Sequence, residues 1–209
     1  MSRIRNLAVM GVASLSVLAL SASPAAAATT SIHQDSITGP LFSGNVVASN
    51  LGNISVTTSL SNATCTSAVQ NGSVNSDGTN LTVTSASFSG CTSSLGAVTV
   101  NASSLPWSGG AVVYDPVAGG RDGTLTLSNF TVGATVFGIS CTYRGTLVGN
   151  GFNPDNPNRP DTSNDQSQAQ IVNGVVNKLS GSFLCPGTAT VNALYQLIGA
   201  NGEQLWASS

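Results

Sequence analysis

Short runs with strand character recur along the whole chain, and turn-forming pairs of residues separate them. The runs are rich in Val and Thr, which favour strands, whereas Lys, Glu, Met and Arg, which favour helices, are scarce. Gly and Asn enter turn conformations readily, so pairs that contain them mark chain reversals. The clearest turn positions are Asn71-Gly72, Asp77-Gly78, Gly119-Gly120, Asp122-Gly123, Asn150-Gly151, Asn173-Gly174 and Asn201-Gly202. About a dozen short strands predict a sandwich or a barrel, and we expect a single all-β sandwich, immunoglobulin-like or jelly-roll, of about 10–12 strands.

Two of these runs change phase part-way along. In Leu81–Phe88 and in Thr124–Val132 the apolar residues alternate, skip one position and then alternate again. A strand with a period of two turns its apolar face over when one residue is skipped. We therefore expect a β-bulge near Thr84-Ser85 and near Ser128-Asn129, or strands that cross from one sheet to the other.

The N-terminal residues 1–28 are typical of a secretory signal peptide. Two arginines precede an apolar run, Leu7–Leu20, and Ala-x-Ala choices follow within Ser23–Ala28. The apolar run is shorter than the roughly twenty residues that span a bilayer, and no later segment approaches that length. We expect a secreted or cell-surface protein with no transmembrane span in the mature chain, a flexible segment at 29–40 unless it pairs at a sheet edge, and one domain at 41–209.

The expected mature chain carries few charges. It retains four cationic residues against eight acidic ones, a formal charge of −4, and has no basic cluster. This balance argues against nucleic acid or an anionic membrane surface as a partner.

All four cysteines, Cys65, Cys91, Cys141 and Cys185, lie in the exported part of the chain. An even number in an oxidising compartment predicts two disulfides, for which three pairings exist. The spacings differ from the CxxC patterns of metal and redox sites. We favour Cys65–Cys91 and Cys141–Cys185, because each bond would join strands separated by only one or two others.

Residues 149–170 form the one long stretch without strand character. Three prolines and many Asn and Asp residues predict a long loop. The loop is interpreted as a flexible solvated segment, as a calcium site in which Asp155, Asp161 and Asp165 supply oxygen ligands, or as a recognition loop. The spacing differs from an EF-hand.

Candidate catalytic residues are few. The chain has a single histidine, His33, and lacks the GxSxG, HExxH and phosphate-binding glycine motifs. Paired carboxylates would suffice for a glycosidase, and Asp115, Asp122, Glu203 and the loop aspartates are the candidates. Loop carboxylates usually cap turns, so we expect no enzymatic activity and keep a secreted carbohydrate-active enzyme as the alternative.

Two aromatic residues are candidate ligand contacts, Trp107 and Tyr114. Trp107 follows Pro106 at the start of a predicted strand, where it is either a core residue or an exposed platform for a sugar. A large aromatic in an aromatic-poor chain favours burial.

Several short motifs resemble a known family. Ala86–Cys91, the later Leu105–Trp107 and the LTLSNF strand at 125–130, with Cys65 before them, resemble the PraB-type alkane oxidation activator proteins over about residues 60–135. The resemblance implies a secreted or surface-associated helper for apolar carbon sources, without catalytic residues to carry over.

The chain departs from that family in its long loop and in Cys185-Pro186-Gly187. Its layout also resembles secreted proteins of actinobacteria. Its architecture is similar to the neocarzinostatin-type apoproteins, which are β-sandwiches with two disulfides. The combined expectation is a non-enzymatic protein that binds a ligand or partner or assembles on the envelope, with homo-oligomers formed through poorly protected sheet edges.

Overall fold

The computed structural model describes residues 29–209, so the predicted signal peptide lies outside the described part. Residues 29–209 form thirteen strands and no helix. This part of the chain therefore contains no helix that could cross a membrane. The strands are β1 (Ser31–Gln34), β2 (Gly44–Asn50), β3 (Ile54–Thr58), β4 (Asn62–Val74), β5 (Leu81–Ser93), β6 (Gly96–Ala97), β7 (Thr99–Ala102), β8 (Trp107–Tyr114), β9 (Gly123–Val136), β10 (Ile139–Phe152), β11 (Ser167–Gly181), β12 (Thr188–Gly199) and β13 (Leu205–Ser208). The expected all-β class is confirmed.

The long strands form one antiparallel sheet that closes on itself. β2 and β3 lie end to end, because both pair with β4 on one side and with β12 on the other. β7 and β8 lie end to end in the same way between β5 and β9. With β4, β5, β9, β10, β11 and β12 they make eight strand positions, each paired with its neighbours in the chain. The pairing of β12 with β2 and β3 joins the last position to the first.

The fold is therefore a closed eight-stranded barrel, and the expected sandwich was wrong in this respect. A sandwich needs two separate sheets, whereas here the pairings β4–β5 and β12–β2 leave no gap in the ring. Because the sheet is closed, each long strand has a hydrogen-bonded neighbour on both sides. Any assembly through sheet edges would have to use the short sheet of β1 and β13, and the predicted oligomer stays a prediction.

Both predicted bulges are present. Asn71 and Gly72 of β4 pair with Ser85 and Val83, so Thr84 is the extra residue of β5. On β9, the register with β10 shifts across Ser128-Asn129, and Asn129 has φ 57°. The bulges allow both halves of each strand to point apolar residues into the barrel.

Three of the predicted turns were wrong: Asn71-Gly72, Asn150-Gly151 and Asn173-Gly174 lie inside β4, β10 and β11. Gly72 is needed for close backbone approach instead, since a Cβ there would collide with the carbonyl of Thr82. Asn173 has φ 53° at a register shift between β11 and β12. Glycine and asparagine thus serve irregular strand geometry at these positions rather than reversals of the chain.

The N-terminal segment and the long loop are both held by the rest of the fold. Ser31–Gln34 pairs with β13 and buries Ile32, so the segment 29–40 adopts the edge-paired alternative. The loop is shorter than expected, residues 153–166, because β10 and β11 extend into both of its ends. Within the loop, the Arg159 guanidinium donates hydrogen bonds to the carbonyls of Asn156, Thr162 and Asn164, and the Asn164 amide donates to Gln196 of β12.

The barrel interior is divided along its axis. The main core contains Trp107, which is fully buried and packs against Phe130 with ring centroids 4.8 Å apart. A smaller core lies at the opposite end, where Ile32 and Leu205 of the short sheet meet Leu81. Most residues of the main core also line the cavity that is described next.

Candidate functional site

An apolar cavity of about 360 Å³ occupies one half of the barrel. Most of the residues around it are aliphatic or aromatic, and they come from every strand position of the barrel. Its deep wall includes Phe130, Leu147, Ile171, Val191 and Ala193. Eight-stranded barrels have an interior just wide enough to be filled by side chains or to hold one small ligand. This volume falls within the range of small-molecule sites in proteins.

Short side chains leave this half of the barrel hollow. Inward positions that could carry Leu or Phe carry Ala63, Ala134, Ala189 and Ala193 instead. The opposite half contains bulkier residues, among them the fully buried Trp107, and encloses a much smaller void of about 90 Å³. The cavity is therefore a consequence of residue size at specific inward positions, since the strands themselves continue through both halves.

The cavity opens at one end of the barrel, where four hairpin connections meet. The strand registers place these connections together through the pairs Ala63–Ser93, Thr99–Thr135, Cys141–Gly181 and Ala189–Thr58. Each connection carries an exposed apolar side chain: Leu60, Leu95, Phe137 and Phe183-Leu184. We call these five residues the apolar rim. All except Phe183 also line the cavity.

A pair of polar side chains lies at the inner end of the cavity. The Gln70 amide donates a hydrogen bond from Nε2 to the Tyr195 hydroxyl at 3.1 Å, and both residues are buried. Tyr195 lies beyond Ala189 on β12, about 20 Å along the strand from the rim. Burial raises the pKa of Tyr195 to about 12, and the hydrogen bond from Gln70 opposes that rise. The phenol is therefore neutral at physiological pH.

The charges of the molecule are segregated from the rim. All eight acidic residues lie at the opposite end of the barrel, in its turns, the long loop and the segment after β1: Asp35, Asp77, Asp115, Asp122, Asp155, Asp161, Asp165 and Glu203. The two charged residues in the cavity half of residues 29–209 are Arg144 and Lys178, both cationic. Neither lines the cavity.

The four cysteines form the two favoured disulfides, Cys65–Cys91 and Cys141–Cys185, which confirms that pairing. Both bonds lie in the cavity half of the barrel. Cys65, Cys91 and Cys141 contribute to its wall.

The two aromatic candidates lie away from the cavity. Trp107 is a core residue whose indole Nε1 donates to the carbonyl of Ser103 at 2.8 Å. Tyr114 ends β8 at the acidic end, where its backbone N–H donates to Thr30 Oγ1. Neither residue lines the cavity, and their contact with a ligand stays a prediction.

The three loop aspartates are not brought together. Asp161 accepts hydrogen bonds from the backbone and hydroxyl of Ser163, which lower its pKa. Asp165 accepts a hydrogen bond from the neighbouring Gln166. Within residues 29–209 no group of three His, Cys, Asp or Glu side chains is arranged to hold a metal ion, and the calcium site stays a prediction.

The candidate catalytic carboxylates are occupied in structural contacts. Asp115 forms an ion pair with Arg121 at 2.7 Å, and the same contact raises the pKa of that guanidinium. Asp122 accepts hydrogen bonds from the backbone of Asn153 and from the side chain of Asn156, which fixes the long loop to the barrel. His33, the single histidine, bonds to the Gly39 carbonyl and the Ser208 hydroxyl.

Sequence reasoning missed the residues that form this site. Tyr195 and Gln70 lie in separate strands 125 positions apart, and nothing in the local pattern couples them. The rim did leave a signal, because Leu60, Leu95 and Phe137 are apolar residues directly beside Ser or Gly, residue types that are common in turns. Comparison with protein-family models, with curated proteins and with solved structures finds no match for this chain.

Proposed function

We propose that this is an exported, non-enzymatic binding protein that holds one neutral, apolar small molecule inside its barrel. The supporting observation is the cavity of about 360 Å³, whose wall is apolar and whose open end carries the apolar rim. Transfer of an apolar ligand from water into such a wall is favourable by about 25 cal/mol for each Å² buried.

The charge pattern supports a neutral ligand. Among residues 29–209 no Arg, Lys or His lines the cavity to compensate a carboxylate or phosphate group. A charged group transferred there would lose its hydration without gaining an ionic partner. A helper for apolar carbon sources, which the resemblance to the PraB-type proteins implies, would need a ligand of this class, although the proposal rests on the cavity alone.

A fluorescence titration tests the proposal. N-phenyl-1-naphthylamine, a neutral apolar dye, should bind the mature protein saturably at one site, with rising emission as it leaves water. The variant Ala193→Trp fills the cavity from its deep wall and should weaken binding at least tenfold.

The matched control is Thr190→Trp, which adds the same indole to an outward position of the same strand. It should bind the dye as the wild type does. Equal binding by the wild type and by a folded Ala193→Trp protein would contradict the cavity as the site, and absence of binding by the wild type would reject the proposal. Circular dichroism and thermal melting establish that each variant is folded.

A further inference from the structure

The polar pair at the inner end of the cavity has hydrogen-bonding capacity that the protein does not use. The Tyr195 oxygen accepts from Gln70, while its own hydrogen has no acceptor among residues 29–209. The Gln70 amide also retains a second N–H and its carbonyl oxygen. Buried groups of this kind are costly to leave without partners, so a ligand that satisfied them would gain selectivity.

We infer that Gln70 and Tyr195 bind one neutral oxygen atom, a carbonyl or a hydroxyl, at the inner end of an otherwise hydrocarbon ligand. This inference rests on the proposed function and names its ligand class. A ketone would accept from the Tyr195 hydroxyl, and an alcohol would in addition donate to the Gln70 carbonyl. The hydrocarbon part would extend along the apolar wall towards the rim.

A second tyrosine provides a matched control. Tyr143 also lines the cavity, nearer its mouth, and burial raises the pKa of its hydroxyl. Its hydroxyl makes no hydrogen bond with residues 29–209, so removing it leaves no protein partner unsatisfied. The variants Tyr195→Phe and Tyr143→Phe therefore differ in whether the deleted oxygen belongs to the polar pair.

The experiment compares three ten-carbon probes, decane, 2-decanone and decanoate, by displacement of the dye at pH 8. The wild type should prefer 2-decanone over decane by about tenfold, the equivalent of one hydrogen bond in an apolar site. Tyr195→Phe should lose that preference and keep its affinity for decane, Tyr143→Phe should retain the preference, and decanoate should bind most weakly.

Each contrary result has a distinct meaning. If decane and 2-decanone bind equally to the wild type, or if Tyr143→Phe alone removes the preference, the assignment to Gln70 and Tyr195 is overturned while the proposed function stands. Tighter binding of decanoate overturns the neutral ligand class. If none of the three probes displaces the dye, the inference and the proposed function both fail.

The apolar rim carries a second inference, which does not depend on a ligand. Phe183 is 90% exposed and Phe137 is 78% exposed, and both protrude from hairpin connections. The ring of Phe137 lies against Gly96 at the start of β6, so the connections that carry Leu95 and Phe137 adjoin each other. Exposed apolar patches of this kind mark interaction surfaces.

We propose that the apolar rim inserts into the surface of a lipid bilayer. The charge distribution favours this occupant, because every acidic residue lies at the opposite end, where it would stay in water. The cationic residue nearest the rim is Lys178, whose ammonium donates to the carbonyl of Ser182 in a rim connection, and it would approach the phosphate groups of the lipids. Insertion of separate protruding side chains also suits a deformable lipid surface, and the mouth of the cavity would then open into the acyl chains.

Flotation with phosphatidylcholine vesicles tests this placement. The mature wild type should float with the vesicles, and the triple variant Leu60→Ser, Phe137→Ser, Phe183→Ser should remain in solution. The matched control replaces three exposed valines of the barrel wall, Val113→Ser, Val148→Ser and Val172→Ser, and should float as the wild type does.

Three results would overturn the bilayer assignment. The first is equal flotation of the rim and wall variants. The second is binding only to vesicles that contain anionic lipid, which would indicate electrostatic attraction. The third is a wild type that is dimeric in light scattering and does not float, together with a rim variant that is monomeric. In that case a second copy of the chain would cover the rim.

Discussion

Tyr195 illustrates how the barrel changes the chemistry of one side chain. In β12 it follows an apolar alternation that gives no indication of a polar partner. The closed sheet brings it to Gln70, and burial outweighs this hydrogen bond to raise the pKa of the phenol from 10.0 to about 12. Its position at the end of an apolar cavity gives the residue its proposed role in ligand selection.

This shift predicts a loss of stability at high pH. The unfolded chain releases the phenol proton near pH 10 and the folded protein near pH 12, so the contribution of Tyr195 is full below pH 10 and is lost as the pH rises from 10 to 12. The loss amounts to about 3 kcal/mol in the free energy of unfolding.

Urea unfolding at a series of pH values, for the wild type and for Tyr195→Phe, measures the effect. The difference between the two free energies should change by about 3 kcal/mol across this window, because other alkaline titrations are common to both proteins. Parallel curves would show that the phenol is not buried in the folded state.

At the level of elements, both disulfides lie in the half of the barrel that contains the cavity. Cys65–Cys91 joins β4 to β5, and Cys141–Cys185 joins β10 to the connection before β12. Side chains around a cavity make fewer packing contacts, which lowers the stability of that half of the barrel. The disulfides offset this loss because they reduce the conformational entropy of the unfolded chain.

Removing one link should therefore loosen the cavity half selectively. Cys141 and Cys185 are 44 residues apart, and the double variant Cys141→Ser, Cys185→Ser should lose about 4 kcal/mol of unfolding free energy by the loop-entropy estimate. Hydrogen exchange should accelerate in the connections that carry Phe137 and Phe183 while β1 and β13 keep their protection. Uniform acceleration throughout the barrel would contradict this local role.

At the level of the whole molecule, closure of the sheet produces two unlike ends. Because each strand reverses direction, alternate connections collect at the same end, and the rim and the acidic loops are separated by the length of the barrel. The bilayer proposal depends on this arrangement, which also places the mouth of the cavity at the rim.

The sequence by itself determined the strand content and the phase changes in two strands, and it favoured the cysteine pairing that the structure confirms. These features follow from local periodicity and from residue types, as in the skipped positions near Thr84 and Asn129. The turn predictions that were wrong involve glycines such as Gly72, whose backbone contacts lie on another strand.

Only the tertiary structure decided that the sheet closes, that its interior is hollow at one end and that Gln70 meets Tyr195. The pairing of β12 with β2 and β3 joins segments about 140 residues apart along the chain. An alternating strand has the same pattern in a sandwich and in a barrel, because the pattern records which face is buried and not which strand lies beside it. The cavity depends on the summed volume of side chains from all eight strand positions, a quantity that no single stretch of this sequence contains.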